Sequence, residues 1–226
     1  MSSTDLPDNQ FFLDSRRNNR QNPSNLNGFV TVIIEQIPEW KGFTVEQYFD
    51  KYWSLEHEDI DPKLFWLKFS DRHKEDPEMF NLGNRDKVVF GARCLLLDHM
   101  LASFADTPEQ TGQFFLLMLS ITSETVKRLP HENAMLRIHR EYKNTEVYHQ
   151  HLRPHLYEVL RNDKIGNTTS KEFALYILVI SRSEVQVYPL LQRLRAHKNP
   201  RISGKANGGI SMLNRKHPEF SGIYKI

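Results

Sequence analysis

The sequence predicts an all-α protein, an irregular multi-helix bundle or a set of stacked helix pairs, with extended N- and C-terminal arms. Two observations predict it. Helix-start devices recur along the chain: Thr44 and Gln47 have capping-box spacing, and a cap residue precedes proline at Asp61-Pro62, Asp76-Pro77-Glu78 and Thr107-Pro108-Glu109. Proline at the first helical position loses no hydrogen bond, because that N–H has no intrahelical partner, and nearby acids favour the positive end of the helix dipole. Apolar residues then follow at helical spacing, as in Val45, Tyr48, Phe49, Tyr52 and Trp53. No internal repeat is present, which disfavours a regular solenoid.

In chain order, residues 1–28 hold six Asn with Ser, Gln, Pro and Asp and no period, and read as a flexible N-terminal arm. Its apolar cluster, Phe11-Phe12-Leu13, is a candidate anchor for a partner, as arms that fold on binding often carry one. Phe29 to Ile34 is β-branched and reads either as a short strand or as a buried helix start. The dense apolar positions of 85–105 and 108–129 predict a central helical hairpin, turned at Asp106-Thr107 and stopped by Pro130. Shorter helices are expected over Glu132 to Tyr142, Thr145 to His151 and Pro154 to Arg161. A polar loop containing Gly166 follows, and Thr169 with Glu172 repeats the capping-box pattern ahead of Phe173 to Ile180. A helix from Glu184 to His197 must bend or restart at Pro189. Pro200, Gly204, Gly208, Gly209 and Pro218 punctuate what remains, so 29–197 reads as one helical domain and 198–226 as a basic extended C-terminal arm.

Composition excludes several classes. With 226 residues, 39% hydrophobic and 14 Phe, the chain has the apolar surface for a real core and is not wholly disordered. A single Cys excludes a disulfide scaffold and a thiolate zinc site. The longest apolar run, Phe173 to Ile180, has eight residues, against the roughly 20 a membrane-spanning helix needs, so no membrane is expected. The start, Met-Ser-Ser-Thr-Asp, carries no secretory pattern, which makes an intracellular location, cytoplasmic or nuclear, the expectation.

The formal net charge of +2 hides an asymmetry. Residues 191–226 carry eight Lys/Arg against Glu219 alone, a net of +7, which leaves 22 basic and 27 acidic residues in 1–190, a net of −5. Arg193, Arg195, Lys198, Arg201, Lys205, Arg215 and Lys216 are therefore the candidate contacts to an acidic protein surface or to nucleic acid. Glu56, Glu58 and Asp59, beside Trp53, form a complementary acidic candidate that a basic segment, even one from a second copy, would fit. The same acids also suit the start of a helix at Pro62.

The sequence carries little that points to catalytic chemistry. Glu146-x-x-His149 is half of a di-iron signature without its second copy, and His151 and His155 have zincin spacing without the following Glu and with Pro154 between them. No metal and no cofactor is expected. Cys94 lies among apolar neighbours and reads as inert, no Gly-x-Ser-x-Gly elbow occurs, and Ser203-Gly204-Lys205 lacks the rest of a phosphate loop. The expectation is a non-enzymatic scaffold or adaptor that binds a protein partner, or itself, through body and arms. A nucleic-acid-coating, nucleocapsid-type protein that oligomerises through its arms and binds without sequence preference is the alternative, and a metal-dependent helical enzyme the third.

Overall fold

The computed structural model describes residues 38–60, 85–122 and 127–220. Among these the chain is all-helical, with eight α-helices and no strand. The N-terminal candidates Phe11 and Phe12, the stretch Phe29 to Ile34 and the starts at Asp61-Pro62 and Asp76-Pro77 lie outside the described residues. The chain divides into two compact units, 1–111 and 112–226.

In the first unit, α1 (Val45–Ser54) opens on the predicted capping box: Gln47 N–H donates to Thr44 Oγ1 and Thr44 N–H donates to Gln47 Oε1. Its buried face, Val45, Tyr48 and Tyr52, lies at the i, i+3, i+7 positions read from the sequence. It packs on α2 (Arg85–Ser103), whose buried residues include Val88, Ala92, Leu96 and Met100. Several buried polar groups are matched here. The Tyr48 hydroxyl is hydrogen-bonded to His99 Nδ1 at 2.7 Å and to Ser103 Oγ at 2.9 Å, and Arg93 Nε donates to the Tyr52 carbonyl at 2.8 Å. Burial pushes the Tyr48 hydroxyl up to about 12, against the bond from Ser103.

Helix α3 (Pro108–Ser120) starts with proline after Thr107, as read from the sequence. It ends at Ser120 instead of reaching 129, and Pro130 does not stop it: that proline lies in the first turn of α4 (Arg128–Tyr142), where the missing N–H is not needed. From Gly112 onward α3 belongs to the second unit, where Phe115 meets Phe173 edge-on at 6.2 Å and His131 Nε2 donates to the Met118 carbonyl at 2.5 Å.

The second unit continues with a π-helical turn (Tyr148–Leu152) running into α5 (Arg153–Arg161), which carries Pro154 in its first turn. Helix α6 (Thr168–Leu175) is capped by Asn167, whose side chain accepts from Ser170 N–H at 2.9 Å, so the expected Thr169–Glu172 box is not used. The cap falls two residues earlier because the chain turns at Gly166, φ +73°, and enters the helix directly. A second π-helical turn (Tyr176–Ser181) extends α6, and α7 (Tyr188–Leu194) restarts at Pro189 as predicted.

The C-terminal stretch is where expectation and structure part. Residues expected to be extended from 198 form α8 (Pro200–Lys216), 17 residues long, within the second unit. Asn199 caps it, its side chain accepting from Arg201 N–H at 3.0 Å. Ile202, Ala206, Gly209 and Leu213, at i, i+4, i+7 and i+11, form its buried stripe. Gly209 lets the helix approach closely, since a Cβ there would meet Leu191 Cδ2 at 3.3 Å. Packing of that stripe on α7 and α6 outweighs the poor helix propensity of three glycines, which separately disfavour a helix by about 1 kcal/mol each.

Candidate functional site

The apolar run Phe173 to Ile180 buries most of itself: Phe173, Ala174, Leu175, Ile177, Leu178 and Val179 are all buried. Tyr176 and Ile180 are not, at 44% and 45% exposure, and they stand four residues apart on the second π-helical turn. Facing them across a groove of about 600 Å³ is the outer side of α8, with Gly204, Gly208 and Met212 on its wall. Leu175, Val179 and Gly209, all buried, line the bottom, and Arg201 and Lys205 stand at the edge.

The electrostatics of the groove follow from one paired acid. Glu172, 5% exposed, accepts from Arg201 Nε at 3.1 Å and Arg201 Nη2 at 2.5 Å, with Arg128 Nη2 at 3.9 Å. A bidentate pair of this kind fixes the guanidinium in place. With that carboxylate matched, Lys205 leaves an excess positive charge on the groove's edge.

Close packing in this unit does not require glycine at positions 204 and 208. Both are exposed, and a Cβ on either would meet no heavy atom within 4 Å. Substituting alanine at either position should therefore stabilise the chain by about 0.5–1 kcal/mol, the usual gain over glycine in a helix interior. Thermal unfolding checks this, and a loss of stability would show that the two positions are packed.

The sequence-predicted cations fall into two groups. Arg193 Nη2 donates to the Leu160 and Arg161 carbonyls at 2.6 and 3.0 Å, and with Lys171, which donates to the Val159 and Asn162 carbonyls, it caps the C-terminal end of α5. Burial lowers the Lys171 pKa, which Asp163 partly counters. Arg201 is held by Glu172, and Lys216 Nζ donates to Ser183 Oγ at 2.7 Å. Arg195, Lys198, Lys205 and Arg215 are exposed.

The acidic candidates lie in the first unit, and Glu56 and Glu58 are matched locally. Glu58 accepts from Lys51 Nζ and, at 2.5 Å, from Ser54 Oγ. Burial would raise its pKa, but these two donors and the Lys51 charge bring it below the usual value. Glu56 pairs with Arg93 at 3.5 Å, and Arg85 donates to the Glu56 and Glu58 carbonyls. Asp59 is exposed.

A second polar cluster surrounds Glu184. Its carboxylate accepts from the hydroxyls of Tyr148, 2.8 Å, and Tyr157, 3.1 Å, and from Arg153 Nε, 2.7 Å. Burial first, and then the Glu184 carboxylate, raise the Tyr148 pKa, and burial pushes Tyr157 up to about 12. Every oxygen of this acid is occupied by a donor from another element, so the cluster ties the unit together and offers no free base. His139 lies against the Tyr148 ring at 5.6 Å, with Ser181 Oγ 3.2 Å from Nε2.

Burial, with the charges of Arg182, Lys143 and Arg140, holds His139 down at about 4, from an ordinary 6.5. The unfolded chain takes up that proton first as the pH falls. Stability present above pH 6.5 is thus lost progressively down to about pH 4, by up to about 3 kcal/mol from this group. Urea midpoints at pH 7 and pH 4.5 should differ less in His139→Gln than in the parent chain; an equal gap in both would remove His139 as a source.

No group of three or more His, Cys, Asp or Glu lies together as a metal-ligand set among the described residues, His149, His151 and His155 included. No helix among them is long and apolar enough to cross a membrane. The groove residues Tyr176, Ile180, Gly204, Gly208 and Met212 were not among the sequence candidates. Two signals point to them: an apolar run too long for one helix face to hide, and glycines spaced i, i+4. No family model, no curated protein and no solved structure matches the chain.

Proposed function

We propose that this chain is a non-enzymatic helical adaptor that binds a segment of another protein in the groove between the Tyr176–Ser181 turn and α8. One observation carries the reading: two large apolar side chains, Tyr176 and Ile180, are left exposed over an open apolar groove of about 600 Å³. Apolar grooves edged by polar groups are where soluble proteins meet partners. The test is selection of displayed peptides on the full chain, repeated on Ile180→Arg. Peptides that enrich on the parent chain and not on the variant support the reading. No enrichment, or enrichment indifferent to the variant, overturns it.

Sequence-independent nucleic-acid binding is the second reading, favoured by the exposed Arg195, Lys198, Lys205 and Arg215. RNA affinity that falls steeply with salt, and a shallower slope when these four are neutralised, would favour it over the adaptor.

A further inference from the structure

We infer that the occupant of this groove is an acidic amphipathic α-helix of a partner protein, about two turns of which lie against Gly204 and Gly208. The inference rests on the adaptor reading and specifies its ligand.

Three features argue for a helix. The groove wall on α8 is a straight row, Gly204, Gly208 and Met212, spaced i, i+4 and i+8 and therefore about 12 Å long at 1.5 Å per residue. Opposite it, Tyr176 and Ile180 form a second apolar row with the same spacing. Two such rows receive the ridge of a third helix, whose apolar residues at i, i+3/i+4 and i+7 settle between them. The glycines supply the third feature. Exposed glycine inside a helix lowers stability, and a Cβ at either position would meet nothing in the unit. A missing Cβ at both positions lets a neighbouring helix backbone approach more closely than any side chain would permit.

Charge decides the partner's sign. Lys205, Gly208, Met212 and Arg215 fall on one face of α8, so two exposed cations flank the apolar pair of Gly208 and Met212. The acid lining the groove, Glu172, is already held by Arg201 and Arg128. A helix with carboxylates flanking its apolar stripe complements this face, and a basic one is repelled.

The experiment takes the most enriched peptides from the display selection, as labelled synthetic 16-residue peptides, and measures their binding to the full chain by fluorescence anisotropy. Their expected composition is acidic, with apolar residues at helical spacing. Replacing their carboxylates by amides should weaken binding about tenfold, and proline in their centre should do the same by preventing the helix. On the protein, the pair Gly204→Ala and Gly208→Ala should weaken binding while raising the melting temperature, so misfolding cannot account for the loss. Lys205→Gln with Arg215→Gln should weaken binding and reduce its salt dependence. Enriched peptides that are basic, that tolerate central proline or that bind equally well as amides overturn the inference while the adaptor reading stands, provided Ile180→Arg still blocks them. Dimerisation of the chain that Gly208→Leu abolishes, seen by light scattering, overturns it in favour of a second copy. Absence of any groove-dependent peptide removes both.

Discussion

Glu184→Ala should destabilise the second unit by about 3 kcal/mol, read as a lowered urea midpoint with an unchanged slope. Three donors lose their acceptor together: the hydroxyls of Tyr148 and Tyr157 and the Arg153 guanidinium. Tyr148 is fully buried, so its hydroxyl cannot recover the bond from bulk water. Arg153 is a third exposed and re-solvates in part, which places the loss at the low end of the range for a broken buried pair. The guanidinium of Arg182, 4.2 Å above the Tyr148 ring and 3.9 Å from the same carboxylate, is left without its counter-charge. Glu184→Gln keeps an acceptor for the Tyr148 hydroxyl and should recover part of the loss. Tyr148→Phe should cost about 1 kcal/mol in the parent chain and less in Glu184→Ala, since the bond is already gone. Equal costs in both backgrounds would show that the two side chains do not act together.

Gly166→Ala should cost about 2–4 kcal/mol, from two separable sources. One is backbone strain, because φ at Gly166 is +73°, where a side chain collides with its own carbonyl. The other is overpacking: the new Cβ would lie 2.6 Å from the Leu119 carbonyl oxygen, 2.6 Å from Val159 Cγ2 and 2.9 Å from Ser170 Cβ. A carbonyl of α3 and the first turn of α6 cannot move aside without shifting both helices. Gly42 is the control, at φ +78° with nothing within 4 Å of a Cβ, so Gly42→Ala isolates the strain at about 1 kcal/mol. Urea unfolding of both variants checks this. A Gly166→Ala loss no larger than that of Gly42→Ala would mean that the loop does not pack where α3, α5 and α6 meet.

These predictions fall on residues of very different visibility in the sequence. Gly166 could be read only as a loop glycine, and Glu184 only as the start of a helical stretch, yet each holds together elements that are far apart in the chain. The same is true of the groove. Tyr176 and Ile180 belong to an apolar run that on sequence alone is all core, and only the position of α8 shows which two members stay exposed. Arg193 and Arg201 read as free cations of an arm. The structure places one on the carbonyls at the end of α5 and the other on Glu172.

What the sequence by itself determined is the helical class and those helix starts whose partners lie within a turn: the Thr44–Gln47 box, the proline after Thr107 and the restart at Pro189. These rest on hydrogen bonds and steric limits spanning four residues or fewer, and spacing encodes them directly. Tertiary structure decided the rest: the division at residue 111, the use of Asn167 over Thr169 as a cap, and the folding of a glycine-rich tail into α8. Helix α8 has weak intrinsic propensity, and its stripe of Ile202, Ala206, Gly209 and Leu213 is stabilised by burial against α6 and α7. Burial of that kind depends on which distant residues meet, and local spacing carries no record of it.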